Sequence, residues 1–147
     1  MRVAAFAALS LASCASNAWR KDFGAFVDEI ATRASAARGD NTSGYDNAFR
    51  NQPVQWTLTY TGIQPQEKGG PTLKFDLDPF GLHQVFFTGK LVMIGFEPAE
   101  GTEGAWQALT PGTSVTFTGL VERVSFVTFN DKPGAHATIK NVRAAAP

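Results

Sequence analysis

The sequence predicts a mainly β protein. Its centre is a closed barrel of five strands, preceded by an amphipathic helix and carrying a short helix before the fourth strand. Three observations predict this. Residues 54–61 alternate apolar with hydroxyl or amide side chains without a break, the period of a half-buried strand. Shorter alternating runs follow, and in one of them the parity changes after Gly119. The elements come in the order three strands, short helix, two strands.

Length and composition set the frame. A chain of 147 residues holds one domain with a sizeable core plus an appendage. With 44% hydrophobic and 18% charged residues it is globular rather than disordered. Thirteen basic side chains balance thirteen acidic ones, for a formal net charge of zero. A dedicated nucleic-acid binder carries a basic excess, so the balance argues against that class while leaving room for a local basic stripe.

The chain opens like a processing signal. Met1-Arg2 is a short positive start, and residues 3–11 are an apolar run too short to cross a bilayer, which takes about 20 apolar residues. Small residues then lead to Cys14, the only cysteine. One cysteine supplies neither a disulfide nor a zinc cluster. Leu11-Ala12-Ser13-Cys14 resembles the lipobox of bacterial lipoproteins. That resemblance implies a diacylglycerol on Cys14 after cleavage. It also implies an outer-membrane lipoprotein facing the periplasm, because Ala15 stands where an Asp would favour inner-membrane retention. Two other readings stay open: a signal cut later, after Ser16-Asn17-Ala18, giving a soluble periplasmic protein, or a hydrophobic N-terminal helix of a cytoplasmic one. The expected division is 1–13 signal peptide, 14–50 lipid-anchor tether and amphipathic helix, and 51–147 barrel domain.

Between Trp19 and Arg38, the apolar residues Phe23, Phe26, Val27, Ile30 and Ala34 fall on one helical face. The opposite face mixes signs and lacks the Lys/Arg excess of a membrane-surface helix, so packing against the following domain is the favoured reading. Arg38-Gly39 is a stop signal. Residues 39–44 read as a polar loop, and residues 45–50 as a further helical turn.

The strands follow. Val54, Trp56, Leu58 and Tyr60 point one way from Pro53 onward, and Leu73, Phe75 and Leu77 make a second strand. A third is expected over 86–96, kinked at Thr88-Gly89-Lys90. Residues 91–94 are apolar on both faces, which predicts cover on both sides or a bend. Residues 100–109 place Trp106 and Leu109 one helical turn apart. A turn at Thr110-Pro111-Gly112 leads to a strand with Val115 and Phe117 inward. The apolar positions then become Leu120, Val124 and Phe126, so a bulge is predicted between Gly119 and Arg123. Residues 130–134 read as a loop, and Ala137, Ile139 and Val142 mark the last strand.

This order is that of the OB-fold, a five-stranded, partly open Greek-key barrel. From about Val54 to Arg143 the chain also resembles the anticodon-binding-like (tRNA_anti-like) OB family. The resemblance lies in Trp106 followed by Leu109-Thr110-Pro111-Gly112-Thr113-Ser114-Val115-Thr116-Phe117-Thr118-Gly119, similar to the family's Leu-x-x-Gly-x-x-Val-x-Phe-x-Gly pattern. It implies a fold and not an activity.

Little catalytic chemistry is legible. His83 and His136 have no neighbouring His or Cys, against metal binding. Asp76 and Asp78 share a strand face, but a calcium or acid–base role needs more oxygen ligands or a pocket that shifts one pKa. No Ser-His-Asp set or phosphate-cradling glycine loop is present in the pattern. The protein is therefore expected not to be an enzyme and to need neither metal nor cofactor. A hydrolase would have to draw on the two histidines and Asp76. Binding is the better-founded reading, since OB barrels take ligands on strands two and three and the adjoining loops. Lys74, Phe86 and Phe87 fall there, with Arg123 on strand four, and aromatics beside cations stack bases or sugars. The expected function is a cell-envelope binding module for a protein partner or polar ligand. The alternative is a single-stranded nucleic-acid binder.

Overall fold

The computed structural model describes residues 17–37, 47–65, 68–78 and 91–146. The proposed signal peptide, the loop over 39–44 and the start of the expected third strand lie outside them. Five strands form a closed barrel: β1 (Pro53–Gln64), β2 (Thr72–Asp76), β3 (Val92–Pro98), β4 (Ser114–Phe129) and β5 (Lys132–Ala144). Around the barrel they run β1-β2-β3-β5-β4, with β3 and β5 parallel and the other pairs antiparallel. This is the expected OB-like architecture.

Helix α1 (Phe23–Ala36) begins where Asp22 accepts the backbone N–H of Ala25 at 3.0 Å, an N-cap that satisfies one orphan donor. The cap splits the expected helix, leaving a separate 3₁₀ turn at Ala18–Arg20. All five residues of the predicted apolar face are buried. Phe23 and Phe26 meet Trp56 of β1 at ring-centroid distances of 5.0 and 4.9 Å. The indole N–H of Trp56 donates to the carbonyl of Trp19 at 2.8 Å. The helix thus completes the core at the end of the barrel where β1 starts.

Helix α2 (Glu103–Ala108) serves the other end. Its Trp106 packs on Tyr60 and Phe75, and the Tyr60 hydroxyl donates to the Trp106 carbonyl at 2.7 Å. Burial raises the pKa of the Tyr60 hydroxyl, which keeps it a donor. Tyr60→Phe removes this one hydrogen bond from a packed site. The expected loss is about 1 kcal/mol, read as a shift in urea midpoint at unchanged slope. The Trp106 carbonyl keeps Leu109 N–H as a partner, which limits the damage.

Inside the barrel, Phe117 is fully buried and stacks on Phe75 at 4.9 Å, with Trp56 and Phe96 edge-on at 6.2 and 5.8 Å. The predicted alternation of β1 holds through Tyr60, after which β1 carries one residue more than β2 between Tyr60 and Gly62.

The structure moves three expectations. The parity change in β4 comes later than read, because Gly119 and Val121 face inward and Leu120 is only half-buried. The extra β4 residue is Glu122, between Val121 and Arg123. A second bulge sits on β5 opposite Thr118–Leu120, with Asn141 at φ 57°. Residues 130–134 are not one loop. Asn130 and Asp131, at φ 47° and 63°, make a two-residue hairpin turn, and Lys132 already pairs with Phe129. Two positive φ values suit the right-handed twist of the flanking strands, and Asn and Asp tolerate them. Finally, 91–94 is not covered on both faces: Val92 is buried while Met93 is 39% exposed. The outer wall of the barrel at β3 faces solvent.

Candidate ligand-binding face

Among the described residues, strands β2 and β3 are joined by a single bridge, Leu73 to Phe96. Beyond it the two strands diverge, and a groove of about 310 Å³ opens between them. Its lining joins the polar Thr72, Lys74, Asp76 and Asp78 to the apolar Leu73, Phe75, Leu77, Ile94 and Phe96. Alternation along β2 explains the arrangement. Leu73 and Phe75 point into the barrel, so Lys74 and Asp76 must point out, and both are exposed. The Asp76 carboxylate accepts the backbone N–H of Asp78 at 3.1 Å, a local turn that ends the strand.

Among the described residues the groove holds one cation and two carboxylates beside the apolar Leu73, Phe75, Leu77, Ile94 and Phe96. Such a surface suits an uncharged, zwitterionic or peptide-like group.

The expected site residues do not all meet. Lys74 lines the groove. Arg123 lies on β4, with β3 and β5 between it and β2 on one side and β1 on the other. Phe86, Phe87 and Cys14 lie outside the described residues, as does His83. Thr72 and Ile94 line the groove and were not singled out from the sequence. Ile94 shares the inward parity of β3 with Val92 and Phe96 and packs against the core, so alternation marks it as a core position and gives no signal that it also lines a groove.

Arg123 belongs instead to the outer wall formed by β3, β5 and β4. There Met93, His136 and Ser125 form one cross-strand row, and Gly95, Thr138 and Arg123 the next. Burial lowers the pKa of the half-buried His136, and the nearby Arg123 guanidinium lowers it further. Glu97 is pushed up by burial and by Glu122, with Lys140 acting in the opposite direction. Among the described residues no three His, Cys, Asp or Glu side chains gather as metal ligands.

The His136 shift predicts a pH effect. A native pKa below the ordinary 6.5 means the unfolded chain binds the proton more tightly. The stability this group contributes is present above pH 6.5 and is lost as pH falls through the lower native value. His136→Gln should therefore flatten the stability profile below pH 6.5 and leave it unchanged above neutrality, as read by urea unfolding across pH. A profile that keeps its slope in the variant refutes the assignment.

No protein-family model matches the chain, and no curated protein matches it. The anticodon-binding-like resemblance therefore stands on its motif alone. Among solved structures, the chain is similar to a Klebsiella pneumoniae subsp. pneumoniae MGH 78578 protein provisionally named a nucleic acid-binding lipoprotein. The two share 14% identity, with 86% of this chain and 90% of that one covered and a TM-score of 0.46.

Proposed function

We propose that this protein is a non-catalytic binding module of the cell envelope, exported and anchored by lipid on Cys14, that takes a protein partner or polar ligand in the β2–β3 groove. The observation that carries the binding half is that, among the described residues, β2 and β3 share one bridge. It opens the barrel wall where OB barrels take ligands and lines the gap with mixed charge over apolar side chains. The lipid half rests on the apolar run ending in Leu-Ala-Ser-Cys. Outer-membrane placement, facing the periplasm, follows from Ala15 and belongs to the same proposal.

Two measurements test it. Palmitate labelling should be present in the parent and lost in Cys14→Ala. NMR shift mapping of the protein against glycans, envelope extract and oligonucleotides should move Thr72, Lys74 and Ile94 with one of the first two. Salt-dependent oligonucleotide binding, weakened by both Lys74→Ala and Arg123→Ala, would overturn the reading in favour of a single-stranded nucleic-acid binder. Shifts confined to other faces would overturn the groove.

A further inference from the structure

We propose that the end of the barrel completed by α1 lies directly against lipid headgroups, so that the domain sits on the membrane in one orientation. This rests on lipidation of Cys14. Described structure starts at Asn17, whose carbonyl accepts the N–H of Arg20 at 3.2 Å. Ala18 accepts from Lys21 and Asp22. Trp19 is 6% exposed and packs on Phe26 and Phe49 at 5.9 and 5.0 Å, while its carbonyl is held by Trp56. The chain is thus locked into the core five residues after Cys14.

Only Ala15 and Ser16 separate Cys14 from Asn17. Whatever path they take, covalent geometry limits the Cys14–Asn17 separation to about 11 Å. The 12 residues of β1 extend over about 40 Å. A leash so much shorter than the body it holds cannot let the barrel turn its far end to the bilayer.

The chemistry of the near end fits that surface. Lys21 and Arg50 are exposed there beside one exposed carboxylate, Asp22, and Arg20 is half-buried. Arg20 donates to the Gln52 side chain at 2.7 Å, which ties the 3₁₀ turn to the segment entering β1. Cations at this position face the anionic fraction of phospholipid headgroups. At the other end of β1, Tyr60 meets α2, where exposed Glu100 and Glu103 outnumber exposed Lys68 of the β1–β2 connection. The β2–β3 groove, on the barrel's flank, stays open to the side.

The test uses the full lipidated chain, in which the Cys14 thiol is consumed by the lipid. Single thiols are introduced as Lys21→Cys, Arg50→Cys and Glu103→Cys, labelled with a fluorophore, and reconstituted into vesicles of phosphatidylethanolamine and phosphatidylglycerol bearing a headgroup-attached quencher. Quenching at 21 and 50 should exceed that at 103 several-fold. A long Gly-Ser spacer inserted between Ser16 and Asn17 should erase the difference. Equal quenching at all three positions without the spacer, or a difference that survives it, overturns the proposal. Palmitate incorporation on the same samples separates the two failures. Without palmitate the anchor itself is wrong; with palmitate and equal quenching, only the orientation is.

Discussion

Trp56→Ala is expected to lower stability by about 3–5 kcal/mol, the range for emptying a fully buried tryptophan site. The indole is 1% exposed and touches Phe23 and Phe26 of α1 and Phe117 of β4. It also holds the Trp19 carbonyl. Its removal therefore damages the barrel core and loosens α1 from it together. Trp56→Phe separates the contributions, because it keeps most of the ring packing and strands one buried carbonyl, for an expected loss of about 1–3 kcal/mol. Urea unfolding followed by both far-UV circular dichroism and tryptophan fluorescence is the measurement. In the alanine variant the helical signal should be lost before the barrel signal. A loss below about 1 kcal/mol would mean that α1 is not part of the same cooperative core.

Gly119→Val is expected to be nearly as damaging, for the opposite reason. Gly119 is buried at the start of the irregular part of β4, facing the second bulge. A Cβ built there lies 2.8 Å from Ile139 Cγ2, 3.3 Å from the Lys140 carbonyl oxygen and 3.4 Å from Val142 Cγ2. The first contact is closer than real Cβ atoms come, and the second is to backbone that the β4–β5 pairing holds in place. Overpacking of this kind costs about 1–3 kcal/mol, with Gly119→Ala at the lower end and Gly119→Val at or beyond the upper. The mechanism has its own signature. In the double variant with Ile139→Ala, the clashing methyl is gone, so the two losses should sum to more than the measured total. Simple additivity would show that the glycine is needed for something other than close approach.

These two sites show how unevenly the chain discloses itself. Trp56 is legible because inward and outward side chains alternate along β1, and α1 is legible because five apolar residues share one helical face. Both patterns are local consequences of backbone period. Gly119 was visible as the end of a turn-and-strand motif, and its parity change announced a bulge. The bulge falls inside the expected window, between Val121 and Arg123; only its exact residue was not legible. An inward glycine leaves no apolar mark, so Leu120 looked like the next core residue, while the extra residue is Glu122. The Asn130–Asp131 turn was masked in the same way by Pro133 and Gly134, which resemble loop residues but sit in β5 once the hairpin is closed.

By itself, the sequence determined most of the strands and both helices, the buried faces of β1 and α1, and the class of barrel they close. It also carries the apolar run ending at Cys14, on which the proposed export rests, and the brevity of the link from there to Trp19. Only the tertiary structure decided the register between strands, and with it everything that depends on neighbours distant in the chain. It put β2 and β3 in contact at one bridge among the described residues, so that Lys74 faces a groove with Asp76 and Asp78. It also set Arg123 on a different wall beside His136. The physical reason is that period is written residue by residue, whereas register and divergence between strands are chosen by the closure of all five around one shared core.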